Sequence, residues 1–190
     1  MKLVEDKILK EATVIGGSTV KVDAFLNHQI DVDFINECGK EWYERFKDDG
    51  VTKILTIEAS GIGIACLAAQ QFGVPVVFAK KSRSANMGKS LYSTRVVSYT
   101  HGLVYDVNVS KDRISKGDRI LIIDDLLANG SALKALIKIA EMAGATVVGA
   151  GVIIEKSFQK GGAELRDEGY RIESLAKIKS LESGKIEFED

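Results

Sequence analysis

The residues best suited to chemistry stand in the segment RILIIDDLLANGSALKA, residues 119–135. Asp124 and Asp125 directly follow a run of bulky apolar residues, and the small or polar group Ala128, Asn129, Gly130, Ser131 and Ala132 comes three residues later. Such a group ahead of a helix can aim several backbone N–H groups and the Ser131 hydroxyl at one anion, and the helix start adds its partial positive charge. A phosphate monoester suits that cradle. The two carboxylates repel phosphate but can accept hydrogen bonds from the paired hydroxyls of a ribose, so one segment would grip a ribose 5-phosphate from both sides. A helix cap with one spare carboxylate leaves the same trace in a sequence.

Other segments also carry candidate groups. Glu58-Ala59-Ser60-Gly61 ends one apolar run and precedes a helical pattern, a second place where backbone amides can face an anion; a tight turn that needs Gly61 explains the glycine equally well. The polar stretch 81–93, with Lys81, Arg83 and Lys89, has the length of a lid or of an ordinary solvated basic loop. Lys156 follows a buried apolar run directly. As a donor-only group it binds a carbonyl and repels an amine donor, although a surface lysine is the plain alternative. MGKS at 87–90 lacks the earlier glycine and the preceding strand of a phosphate-binding P-loop, since Arg83 stands where that glycine belongs. His28 and His101 have no metal-ligand spacing to each other or to a cysteine.

The elements that must position these groups follow from periodicity. Apolar residues at Phe34, Ile35, Cys38, Trp42, Tyr43 and Phe46 describe an amphipathic helix closed by Gly50. The pattern predicts a strand at 53–58, a helix at 61–73, a strand at 74–80, two short strands joined by a turn at His101-Gly102, a strand at 119–124, a helix at 131–145 and a strand at 146–156. That alternation predicts an open, doubly wound α/β sheet, whose strand ends are where ligands bind. The tail reads as one short helix and two strands, an appendage to the sheet.

Composition narrows the classes. The chain has 190 residues, 26 basic and 27 acidic, with a formal net charge of −1, so no overall field draws it to nucleic acid or an anionic membrane. The N-terminus mixes charges through its apolar residues, unlike a signal peptide, and no apolar run approaches the length of a membrane span. Cys38 and Cys66 lie in apolar surroundings and read as reduced, which fits a cytoplasmic location.

The segment IIDDLLANGSA resembles the phosphoribosyl pyrophosphate (PRPP) signature of type I phosphoribosyltransferases. VKVDAFLNHQID, KILTIEASGI, VPVVFAKK, GVIIEKSFQ and GYRIESLAKI extend the resemblance to the bacterial xanthine-specific branch over essentially the whole chain. It departs from the commonest signature in having Asn129 and Ala132 where a threonine-rich loop would supply hydroxyls. The resemblance implies the type I phosphoribosyltransferase fold, an open, mostly parallel twisted sheet flanked by helices. It also implies a single domain over 1–190, with a core at about 51–156 and a base-binding hood from about 1–50 and 157–190. It implies transfer of a phosphoribosyl group from PRPP to N9 of xanthine, giving xanthosine 5′-monophosphate (XMP) and diphosphate, with Mg2+ bridging substrate oxygens rather than held in a dedicated protein cage. Asp124 and Asp125 would be catalytic, Ala128 to Ala132 would bind PRPP, Glu58 to Gly61 would form the pyrophosphate loop, and Lys81, Arg83 and Lys89 would belong to the flexible lid. Val20, Asn27 and Lys156 would contact the base, and a homodimer is expected.

Two other functions use the same residues. A hypoxanthine–guanine phosphoribosyltransferase would also place a lysine against a 6-oxo group. A PRPP-sensing transcriptional regulator of this fold would carry a DNA-binding domain ahead of the core, whereas only about 50 residues precede the first core strand here, without a basic recognition helix.

Overall fold

A computed structural model describes residues 1–82, 90–98 and 103–189. The first core strand, β3 (Lys53–Ile57), follows a helix α1 (Lys2–Glu11), a small hairpin of β1 (Thr13–Ile15) and β2 (Thr19–Lys21), and a long helix α2 (Val32–Phe46). The Asp31 carboxylate caps α2 by accepting from the Phe34 N–H at 3.1 Å. Its apolar stripe, Phe34, Ile35, Cys38, Trp42 and Phe46, is buried, and the chain leaves through Gly50 in the left-handed conformation at φ 60°.

Beyond β3 come α3 (Ser60–Phe72), β4 (Val76–Ala79), the antiparallel hairpin of β5 (Leu91–Ser98) and β6 (Leu103–Ser110), and then β7 (Arg119–Leu127), α4 (Ser131–Met142) and β8 (Thr146–Lys156). The turn expected at His101-Gly102 lies outside the described residues. The chain closes with α5 (Gly161–Asp167), β9 (Ile172–Ser180) and β10 (Glu187–Phe188). The central sheet has the order β10-β9-β8-β7-β3-β4, parallel except for β10. It is buried on both faces, as parallel sheets are. Along β7, Leu121 and Ile123 join the core under α2 and α3, and Ile120 and Ile122 join the core under α4.

The structure corrects two expectations. The tail is not an appendage, because β9 pairs in parallel with β8 from Ala150↔Ile172 to Lys156↔Ile178 and is an integral strand of the sheet. β7 does not stop at Asp124: pairing with β8 continues through Asp124↔Val152, Leu126↔Ile154 and Leu127↔Glu155, so both aspartates lie within a strand and the loop is only Ala128 to Gly130. Lys156 ends β8, as the strand expected over 146–156 has it. Close packing of α2 on that strand requires Gly151, since a Cβ there would stand 2.7 Å from Trp42 Nε1.

Candidate active site

β7 delivers the two aspartates to different environments. Asp124 is 4% exposed, and burial pushes its carboxyl well above the usual carboxylate range, with the neighbouring Asp125 charge adding to the rise. Its Oδ1 accepts from the Asp125 N–H at 3.0 Å. Asp125 is half-buried, and its Oδ2 accepts from the Ser60 hydroxyl at 2.7 Å. A pair adjacent in sequence is thus split, one carboxyl turned inward and the other tied to the segment after β3.

That segment is Glu58 to Gly61, which turns β3 into α3, and its Glu58–Ala59 peptide is cis. Glu58 Oε1 accepts from the Lys81 backbone N–H at 2.6 Å, joining this turn to the start of the polar stretch. A Cβ on Gly61 would overlap Thr56 Oγ1 and stand 3.3 Å from Asp124 Oδ1. Lack of room, not a turn's backbone freedom, is why glycine stands here. The Thr56 hydroxyl is wholly buried and has no hydrogen-bond partner among the described residues.

On the other side of Asp125, Ala128 to Gly130 lead into α4. Gly130 is the cap residue, at φ 76°, and no side chain caps the helix start, so its first amides are left open. Asn129 is exposed, Ser131 is half-buried as the first residue of α4, and Ala132 packs toward the core beside them. A cavity of about 320 Å3 runs along this edge, lined by Thr94, Arg95, Asn129, Ser131, Lys134 and Glu164 among others. Strand end, open helix start and basic side chains make the setting in which α/β folds bind anionic ligands.

Lys156 is 7% exposed, and burial lowers the pKa of its ammonium group. Its Nζ donates to the Ser18 carbonyl at 2.8 Å, which ties the end of β8 to the β1–β2 turn. Val20 is buried in β2 of the same hairpin. Asn27 is on an exposed turn, donating to Asp23 Oδ1 at 3.3 Å, so the structure joins Lys156 to the hairpin of Val20 and leaves Asn27 on the surface. Lys81 is exposed, with Nζ 5.8 Å from the Tyr105 ring centroid. Arg83 and Lys89 lie outside the described residues.

Some residues at the site have no sequence signal of their own. Tyr105 is half-buried with its ring beside Lys81, and burial, with the Asp124 carboxylate, raises its pKa. Thr56 is hidden in an apolar strand. Gly161 and Gly162 form a visible pair, yet nothing local shows that Gly161 N–H donates to the Ala128 carbonyl at 3.2 Å.

The phosphoribosyl transferase domain matches residues 21–180. The chain belongs to the phosphoribosyltransferase family. Its similarity to curated phosphoribosyltransferases runs from end to end. It is 53% identical over 189 residues to the xanthine phosphoribosyltransferase of Clostridium tetani, covering 99% of this chain and 100% of that one. It is 53% identical to the enzyme of that name from Bifidobacterium adolescentis, covering 99% of both. The fold matches solved phosphoribosyltransferases too. The adenine enzyme of Giardia lamblia, complexed with 9-deazaadenine, superposes with a TM-score of 0.78 at 22% identity, covering 92% of this chain and 97% of that one. The adenine enzyme of Thermoanaerobacter pseudethanolicus superposes with a TM-score of 0.75 at 23% identity, covering 92% and 99%.

Proposed function

We propose that this phosphoribosyltransferase transfers the phosphoribosyl group of PRPP to N9 of xanthine, forming XMP and diphosphate. The observation that carries the proposal is the Ser60–Asp125 hydrogen bond, which holds a ribose-binding carboxylate between two amide-bearing loops, 58–61 and 128–130. A sugar with phosphates at both ends needs an anion-binding loop on each side of its ribose. The names of the full-length relatives support xanthine as the base.

The reacting C1 of ribose gains positive charge as diphosphate departs, so no covalent nucleophile is needed and most of the acceleration comes from alignment and charge. Asp125 accepts from the ribose hydroxyls and faces that charge. Asp124, buried behind it, fixes the Asp125 backbone through its 3.0 Å contact. Ala128 to Ala132 anchor the 5-phosphate, and Glu58 to Gly61 receive the diphosphate. Lys156 donates to the 6-oxo group of the base, which favours oxopurines over adenine, and the hairpin of Val20 closes beside it. Asn27 would have to swing in from the surface to contact the base. The stretch 81–93 would cover the site and exclude water.

Among the described residues no group of three or more His, Cys, Asp or Glu could cage a metal. Substrate oxygens and waters, with the half-buried Asp125 carboxylate beside them, are the donor set of a hard ion, so the site would fit Mg2+ held chiefly by PRPP. Bound there, the ion would supply charge neutralisation for the departing diphosphate. We further propose a cytoplasmic homodimer.

Initial rates with PRPP and xanthine, guanine, hypoxanthine or adenine test the assignment. Xanthine should be preferred. Preference for adenine would sink the role of Lys156, and preference for guanine or hypoxanthine would move the enzyme to the neighbouring class.

A further inference from the structure

Glu155 and Lys156 are consecutive at the end of β8, and their side chains serve opposite faces of the sheet. Lys156 reaches the β1–β2 turn, whereas Glu155 turns to α5. Glu155 is 2% exposed, and its two oxygens accept from Arg166 Nη1 and Nη2 at 2.7 Å each, with the Ser174 hydroxyl as a further donor. Burial by itself would raise this carboxyl; the Arg166 and Ser174 hydrogen bonds outweigh burial and hold it below the ordinary range. Arg166 also donates to the Ile172 carbonyl at 3.3 Å, so it fastens α5 to both β8 and β9.

The first turn of α5 is pressed into the loop 128–130. Gly161 N–H donates to the Ala128 carbonyl at 3.2 Å, and a Cβ on Gly161 would overlap Ala128 O and Gly130 N and stand 2.5 Å from Asn129 C. All three are backbone atoms, which cannot move aside without displacing the loop. In return, a Cβ on Gly130 would stand 3.1 Å from Gly161 Cα. A Cβ on Gly162 would overlap Glu155 Oε1 and stand 2.8 Å from Arg166 Nη1, so the ion pair lies against the same first turn of α5 that meets the loop.

We propose that Glu155 and Arg166 are positioning residues for PRPP: by fixing α5 they seat Gly161 against Ala128 to Gly130 and so set the geometry of the 5-phosphate cradle, without touching substrate. This rests on the assignment of that loop to PRPP. A purely structural pair would act otherwise. Removing one partner of a buried pair leaves an uncompensated charge, whereas replacing both by apolar residues of similar size frequently restores stability. Positioning and stability can therefore be separated.

The test measures PRPP affinity by calorimetry, KM for xanthine at saturating PRPP, and Tm, in wild type, Arg166→Met, Glu155→Met with Arg166→Met, and Gly161→Ala. Arg166→Met should lower Tm. The double variant should recover most of the Tm yet bind PRPP about tenfold more weakly, with KM for xanthine within about twofold of wild type, because a displaced anchoring loop loses geometry rather than fold. Gly161→Ala, which pushes on the loop directly, should show the same selective loss. If PRPP affinity returns together with Tm in the double variant, or Gly161→Ala binds PRPP normally, the positioning role is overturned. A wild-type protein that binds no PRPP overturns the loop assignment and this inference with it, and that outcome is visible before any substitution is made.

Discussion

The Ser60 hydroxyl donates to Asp125 Oδ2 at 2.7 Å, joining the first turn of α3 to the end of β7 across 65 residues of sequence. The bond couples the loop expected to receive diphosphate to the carboxylate expected to grip the ribose. Ser60→Ala should leave the fold intact, since a single part-buried hydrogen bond contributes about 0.5–1.5 kcal/mol. Turnover should fall about tenfold, as Asp125 loses the partner that orients it. Steady-state kcat with Tm measured in parallel checks this.

Asp124 should mark the pH dependence of stability. The folded-state pKa of Asp124 is raised, so above the ordinary carboxylate pKa the unfolded chain has released a proton that the folded protein still holds. Stability from this group is complete at low pH and is lost as pH rises toward the raised value. We predict that Asp124→Asn flattens this decline and raises Tm at neutral pH, while the double variant with Asp125→Asn loses turnover by orders of magnitude. A Tm profile unchanged by Asp124→Asn would contradict the buried, proton-holding state of this carboxyl.

Lys156 carries a similar conflict between stability and function. Its pKa is lowered by burial, so it costs stability at neutral pH, where the unfolded chain's lysine is charged more readily than the folded one's. Lys156→Met should therefore preserve or raise Tm near pH 7 while raising KM for xanthine about tenfold or more, since a 6-oxo group would lose its charged donor. KM for PRPP should move far less. Equal changes in both constants would remove the lysine from the base site.

Gly61 and Thr56 form a testable pair. Gly61→Ala should destabilise the protein because its Cβ overlaps Thr56 Oγ1. Thr56→Ala should cost little for its size, because it also removes a buried hydroxyl without a partner among the described residues. In the double variant the room vacated by the hydroxyl should recover much of the loss, a coupling of about 1 kcal/mol or more in a double-mutant cycle. Additive effects from denaturant unfolding would show that the tight contact is not what selects glycine.

Much of the site was legible because its elements announce themselves locally. The run VVGAGVII is apolar throughout, and β8 occupies it within 146–156. The continuation of β7 through two aspartates was hidden, because Asp disfavours strands and only pairing with β8 as far as Leu127↔Glu155 keeps the chain extended there. The place of β9 was hidden for a related reason. Parallel pairing joins residues that have no neighbours in sequence, so the run at 172–180 carries no mark of the strand it will join.

By itself the sequence determined the alternation of strands and helices, the paired acids with a small phosphate-type turn after them, and a family resemblance spanning the chain. These are properties of composition and short-range spacing, which periodicity and turn chemistry reveal directly. Only the tertiary structure decided that Asp124 is buried while Asp125 meets Ser60, that Lys156 faces the β1–β2 turn while Asn27 stays outside, and that α5 packs against the loop 128–130 through Gly161. Burial and the partner across a sheet belong to the packed chain, and they set a carboxyl's charge and a loop's position more strongly than residue type does.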